Sequence, residues 1–207
     1  DPRPRPERVA LEGRYCRLEP LDPRQHSDAL FAASTAPGAD DRFRYLADAV
    51  PDRAAFEAWM NRSVRSDDPL FQAVVDRASG RCEGRQACMR ITPEHGVIEI
   101  GHVLWGPAIA RTRVATEALA LAARYVFETL RYRRFEWKCN DHNGPSKAAA
   151  RRFGFAYEGT FRQHMWIKGA NRDTAWFAMI DADWPRLKAA YQRWLAPANF
   201  NASGQQL

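Results

Sequence analysis

Residues 97–155 read VIEIGHVLWGPAIARTRVATEALALAARYVFETLRYRRFEWKCNDHNGPSKAAARRFGF. Val97 to Trp105 is almost continuously apolar, the pattern of a central strand covered on both faces. Arg113 to Leu130 follows as an amphipathic helix, with Val114, Ala118, Leu121 and Tyr125 returning to one side. Phe135 to Cys139 is a second apolar strand. Pro145 to Phe153 is a short helix that Gly154 closes with a left-handed cap. Strand, helix and strand in that order form a crossover unit.

Working outward, residues 1–8 are rich in Pro and Arg and read as a flexible arm. A hairpin is expected over residues 9–19. A helix follows over Asp22 to Ala33, with Asp22-Pro23 as cap and first residue. Ala36 to Asp41 reads as a loop and Pro51 to Arg65 as a helix. Strands are expected at Leu70 to Asp76 and Cys82 to Ile91. Beyond the crossover, Phe155 to Ile167 and Thr174 to Ile180 read as strands joined around Gly169, and Trp184 to Leu195 as a last helix. Residues 196–207 read as a flexible tail. The whole is one α/β domain over residues 9–195 with a mostly antiparallel sheet.

The chain of 207 residues is 45% apolar and 27% charged, values of a globular domain. No apolar run is long enough to span a membrane, and the amino-terminal residues lack the apolar core of a secretion signal. Cys16, Cys82, Cys88 and Cys139 lack metal-ligand spacing and read as reduced thiols of a cytoplasmic protein, with no metal implied. The net charge is +6, yet residues 107–172 alone hold 13 Lys/Arg against 5 Asp/Glu. Such a local excess attracts a polyanion, either nucleic acid or a phosphorylated cofactor, or else is a solvated helix face.

Several residues carry two readings. The loop from Pro107 to Ala115 opens a helix whose free N–H groups, with Arg111, Thr112 and Arg113, suit a phosphate; it is also an ordinary strand-to-helix connection. Asn143-Gly-Pro-Ser146 is a helix cap by its residue types. Glu99 is a carboxylate on an apolar strand. His102, three residues on, falls on the opposite face by strict alternation and reads as a core histidine. Arg162, His164, Trp166 and Lys168 share one face of their strand, where Trp166 either walls a pocket or packs in the core.

Taken together and in order, these marks resemble the GNAT superfamily of acyl-CoA-dependent N-acyltransferases. They are most similar to the branch of ribosomal-protein N-terminal alanine acetyltransferases. The carriers are VIEIGHVLWGP, Thr116-Glu117-Ala118, Asn143-x-x-Ser146, and Arg152-Phe-Gly-Phe155 followed by Tyr157-Glu-Gly159, within a likeness spanning roughly residues 9–185. The resemblance implies a mixed, mostly antiparallel central sheet flanked by helices, with a splayed strand pair holding acyl-CoA. It implies direct acetyl transfer from acetyl-CoA to an amine, either a protein N-terminus or a small aminoacyl-type molecule. Val103 or Leu104, beside Trp105, would polarise the thioester through a backbone N–H. Arg111, Thr112, Arg113, Val114, Ala115 and Thr116 would hold the pyrophosphate. Asn143 would hold the pantetheine arm, and Ser146 would protonate the departing thiolate. Glu99 is the expected base, with His164 as its competitor. The superfamily's loop pattern is Gln/Arg-x-x-Gly-x-Gly/Ala; here Ala110-Arg-Thr-Arg113-Val-Ala115 sets Arg113 at the central glycine. An acyl-CoA-binding module without catalysis is the alternative, with nucleic-acid binding less favoured. A homodimer is compatible with the sequence.

Overall fold

The crossover unit lies inside an eight-stranded sheet of order β1-β2-β3-β4-β5-β6-β8-β7, seen in a computed structural model that describes residues 2–207. Its strands are β1 (Leu11–Glu12), β2 (Cys16–Pro20), β3 (Leu70–Asp76), β4 (Cys82–Thr92), β5 (Val97–Trp105), β6 (Arg134–Asn140), β7 (Ala156–Ile167) and β8 (Ala170–Ile180). The helices are α1 (Pro23–Thr35), α2 (Ala39–Phe43), α3 (Arg53–Ser63), α4 (Arg113–Arg124), α5 (Gly144–Arg152) and α6 (Trp184–Trp194). Every neighbouring pair is antiparallel except β5 and β6, which α4 connects in parallel.

That parallel pairing is short. It runs from Val97↔Arg134 to Ile100↔Trp137 and stops. β5 continues to Trp105 against β4, and β6 continues to Asn140 against β8. The sheet therefore opens between the two strands, and the backbone of Gly101 to Trp105 has no partner on its β6 side.

A bulge sits at the opening. β4 advances two residues, Arg85 to Ala87, while β5 advances three, Leu104 to Gly101, and His102 takes φ +50°. An extra residue reverses the facing of the residues after it. Strict alternation put His102 opposite Glu99; the bulge puts both on one cavity.

The sheet is covered on both faces. On one, α4 buries Ala118, Leu119 and Ala122 with Ile98, Phe135 and Phe177 in the larger core. On the other, Leu30 of α1 and Phe56 and Met60 of α3 pack on Phe71 and Val75. The helix expected to reach Leu130 stays α-helical only to Arg124 and finishes as a π turn over Tyr125–Thr129. Residues 36–41, expected as a loop, run into the short helix α2. The β7–β8 turn is the pair Lys168-Gly169, both at positive φ, so β8 begins earlier than expected.

Both ends lie against the domain. Arg3 N–H donates to the Pro93 carbonyl, and Arg8 binds the Asp67 carboxylate and the Val64 and Ser66 carbonyls. Phe200 is buried against Tyr15 and Trp194. The segments expected as arm and tail thus touch the domain through a charge pair at one end and a buried aromatic ring at the other.

Candidate active site

The opening between β5 and β6 leads into a cavity of about 410 Å³. β5 contributes Glu99 to Trp105, β6 contributes Trp137 to Asn140, and α5 contributes Ser146, with Asn143 at its cap. Met165 and Ile167 of β7 and the chain after α2 close the far end. The β7–β8 tip is tied down there by Lys168 Nζ, which donates to the Phe43 carbonyl at 2.9 Å.

On the α5 side, Asn143 caps the helix, its Oδ1 accepting from Ser146 N–H at 3.1 Å. The Trp137 indole donates to Ser146 Oγ at 2.9 Å. An indole N–H can only donate, so Ser146 Oγ is the acceptor there and its own proton points to another group. Cys139 borders the same cavity; burial pushes its thiol up, and a hydrogen bond from Ser146 opposes that shift.

Thr112 caps α4, its Oγ1 accepting from Val114 N–H at 3.1 Å. Arg111, just before it, is exposed and left-handed, with φ +63°. Arg113 does not turn its charge to the loop. Its guanidinium lies over the rings of Tyr15 and Phe200, 4.4 and 5.3 Å from their centroids, and beside Gly204. Val114 and Ala115 are buried, Val114 in the larger core. Thr116 is buried too, donating to the Thr112 carbonyl and accepting from Arg152. The side chains of these six residues thus point to different partners, while Thr112 caps the first turn of α4 and Arg111 stands exposed beside it.

Glu117 holds a different job. Its carboxylate accepts from the backbone N–H groups of Arg14, Tyr15 and Cys16, and it fixes the turn between β1 and β2 against α4. No side-chain pattern announced this, because its partners are backbone groups about a hundred residues away.

Glu99 is buried within a chain of ions. Its Oε2 lies 2.7 Å from Arg90 Nη1 and 2.8 Å from Lys138 Nζ, and Lys138 reaches Glu136 at 2.6 Å. Arg134 joins Glu136 to Glu158. The indole ring of Trp176 covers Lys138 Nζ at 3.9 Å from its centroid. Both cations lie against Oε2.

His102 is the imidazole in the cavity. Its ring lies 5.2 Å from that of Phe71, and burial, helped by the charge of Arg85, holds its pKa below the ordinary 6.5. It is therefore neutral above that pH and able to accept a proton. His164 is exposed, bonded to Thr174 Oγ1, and does not border the cavity. The bulge in β7 between Phe161 and Met165 turns Met165 and Ile167 inward instead. Trp166 is 75% exposed and belongs to neither pocket nor core. His102 escaped sequence reasoning because a bulge cannot be seen in an alternation pattern.

An acyl-CoA fits what these residues leave over. The Trp105 indole N–H is buried without a partner, the Ser146 side chain borders the cavity, and one edge of β5 has no strand beside it. Among the described residues there is no cluster of ligating side chains for a metal and no helix long and apolar enough to cross a membrane.

Known proteins share this fold. Residues 16–156 match the family model for the acetyltransferase (GNAT) domain. A GCN5-related N-acetyltransferase from Brucella melitensis is 59% identical and superposes with a TM-score of 0.97, over 99% of this chain and 93% of that one. A probable GNAT-family acetyltransferase from Chromobacterium violaceum is 40% identical, with a TM-score of 0.82 over 89% and 92%. The microcin C7 self-immunity acetyltransferase MccE, solved with acetyl-CoA and AMP, is 16% identical, with a TM-score of 0.71 over 81% and 93%, a likeness of fold. A search of curated proteins gave no match.

Proposed function

The chain belongs to the GNAT acetyltransferase family, and on that premise we propose that it acetylates an amine by direct transfer in the cavity between β5 and β6. One observation carries the reading: the opening brings His102, Ser146 and the unpaired edge of β5 to a single cavity. Acetyl-CoA supplies the acetyl group as an activated thioester. The Val103 or Leu104 N–H polarises the reacting carbonyl, a donor fixed in advance by the strand. The first turn of α4, with Arg111 beside it, binds the pyrophosphate. Asn143 and Trp105 hold the arm between.

His102 Nδ1 or Nε2 takes the proton of the incoming amine, directly or through one water. Ser146 Oγ delivers its proton to the leaving sulfur, its oxygen held in place by Trp137. Glu99 acts on position rather than on protons. Its ion pairs hold Arg90 and Lys138 at the cavity wall. Glu99→Gln is expected to lower stability by about 1–3 kcal/mol, because it breaks a buried pair while keeping an amide acceptor. The pH profile of kcat/KM should be unchanged; loss of its acid limb would make Glu99 the base instead.

The test of the reading is thiol release from acetyl-CoA across a panel of amines, protein N-terminal peptides and small aminoacyl molecules included. Ser146→Ala should lower kcat about 100-fold, within the range of general acid catalysis, while KM for acetyl-CoA moves less than about threefold. Coenzyme A binding without thiol release from any amine would mean a binding module.

A further inference from the structure

A second cavity of about 300 Å³ lies on the other side of the chain that follows α2. Phe43, Phe56 and Trp59 form its apolar walls, and Arg85 of β4 borders it. Arg85 is 3% exposed, yet its charge is poorly met. Its one carboxylate neighbour is Asp48, at 3.8 Å, whose own side chain is 47% exposed. Nη1 has no hydrogen-bond partner. The guanidinium is instead stacked 4.3 Å from the centroid of the Trp59 ring. Burial pushes its pKa down to about 10, with Asp48 opposing. A charge buried in this way is costly unless something binds it. Asp52, the other acid on the cavity, is already spent on capping α3.

One buried side chain, Phe71, stands between this cavity and the proposed chemistry and lines neither cavity, so an acceptor that reaches both displaces its ring. The Phe71 ring lies 5.7 Å from Arg85 Cζ and 5.2 Å from the His102 ring. Arg85 and Leu104 are register partners across β4 and β5.

We propose that this cavity is the acceptor subsite and that Arg85 binds a carboxylate of the acceptor, with Trp59, Phe56 and Phe43 taking an apolar group beside it. This rests on the amine-acetyltransferase reading and names the substrate class: a small amino-carboxylate. Arg85 and His102 are separated by a ring, so the amine and carboxylate are one to three residues' length apart, at about 3.5 Å per residue. A short peptide or an ω-amino acid fits; an α-amino acid, with both groups on one carbon, does not span the ring. A guanidinium fork matches a planar carboxylate bidentately, which gives the preference geometry as well as charge.

Two measurements test it. First, 3-phenylpropionate, which carries a carboxylate and an aromatic group but no amine, is titrated into the protein and tryptophan fluorescence is followed. The wild type should bind it saturably, and Arg85→Met should bind it about 10- to 100-fold more weakly. Arg85→Met removes an underpaired buried charge, so the variant should stay folded, which its thermal midpoint checks; Arg85→Lys, retaining charge without the fork, serves as second variant and should bind between the two. Second, thiol release is compared for ω-amino acids and dipeptides, their carboxamides, and amino-phosphonates of equal length. Free acids should exceed carboxamides about 10- to 100-fold in kcat/KM, and Arg85→Met should erase the difference. Absence of saturable phenylpropionate binding to the wild type, equal use of acids and carboxamides, or a preference for phosphonates would overturn the proposal. Saturable, Arg85-dependent binding with no thiol release from any amine would support the carboxylate subsite and overturn the amine-acetyltransferase reading instead.

Discussion

His102→Asn is expected to lower kcat/KM about 1,000-fold at pH 8 while leaving coenzyme A affinity unchanged, within the range of general base catalysis. Asparagine suits the test because His102 sits at φ +50°, a conformation asparagine tolerates. The pH dependence supplies the second readout. Burial holds the imidazole below 6.5, so it is neutral and competent above that pH. Wild-type kcat/KM should be flat above about 6.5 and fall with unit slope as pH drops through the lower folded value. His102→Asn should lose that limb. The same shift has a stability consequence of fixed sign. The unfolded chain binds the proton more tightly, so this contribution is complete above about 6.5 and is lost as pH falls through the folded value. Thermal midpoints at each pH separate the two effects. A variant that keeps the acid limb would show that another group takes the proton.

Glu117→Ala is expected to cost about 3–5 kcal/mol of stability, with activity surviving in the folded fraction. Three backbone N–H groups, of Arg14, Tyr15 and Cys16, depend on this carboxylate. Each buried donor left without an acceptor costs about 1–3 kcal/mol, least where water can enter. Gly13 packs so closely here that a Cβ on it would stand 2.5 Å from Glu117 Oε2, and a cavity bordered by Gly13, Arg14 and Glu117 lies beside them. Glu117→Gln, which keeps one acceptor oxygen, should recover about half of the loss. Urea unfolding with an unchanged m-value is the measurement. A loss under about 1 kcal/mol would mean that water replaces the carboxylate.

These two residues also show where sequence reading succeeds and where it stops. The crossover unit was legible because its signals are local: an apolar run at Val97, a helical stripe from Val114, a proline at the start of α5 and Gly154 at its end. The Asn143 cap on Ser146 was legible for the same reason, and both residues border the cavity. His102 was not, because one inserted residue in β5 reverses the alternation on which facing was judged. His164 lies outside the cavity, through the matching irregularity in β7. Arg113 was read as loop charge, whereas its partners, Tyr15 and Phe200, lie far away in sequence. The excess of positive charge after Pro107 was real. Much of it is met within the fold, by Glu136 and Glu158 on Arg134, by Asp141 on Lys147, and by aromatic faces under Arg113, Arg151 and Arg152. Long-range pairing of this kind leaves no periodic trace in a sequence.

The opening between β5 and β6 is the feature on which the chemistry depends, and a crystal structure with coenzyme A bound tests it most directly. The sulfur should lie in the cavity between the Val103–Leu104 backbone and Ser146, within reach of His102 through at most one water. The pyrophosphate should rest on the first turn of α4, with Arg113 still stacked on Tyr15 and Phe200. Coenzyme A seated elsewhere, with β5 and β6 still open and empty between them, would contradict the assignment of the site.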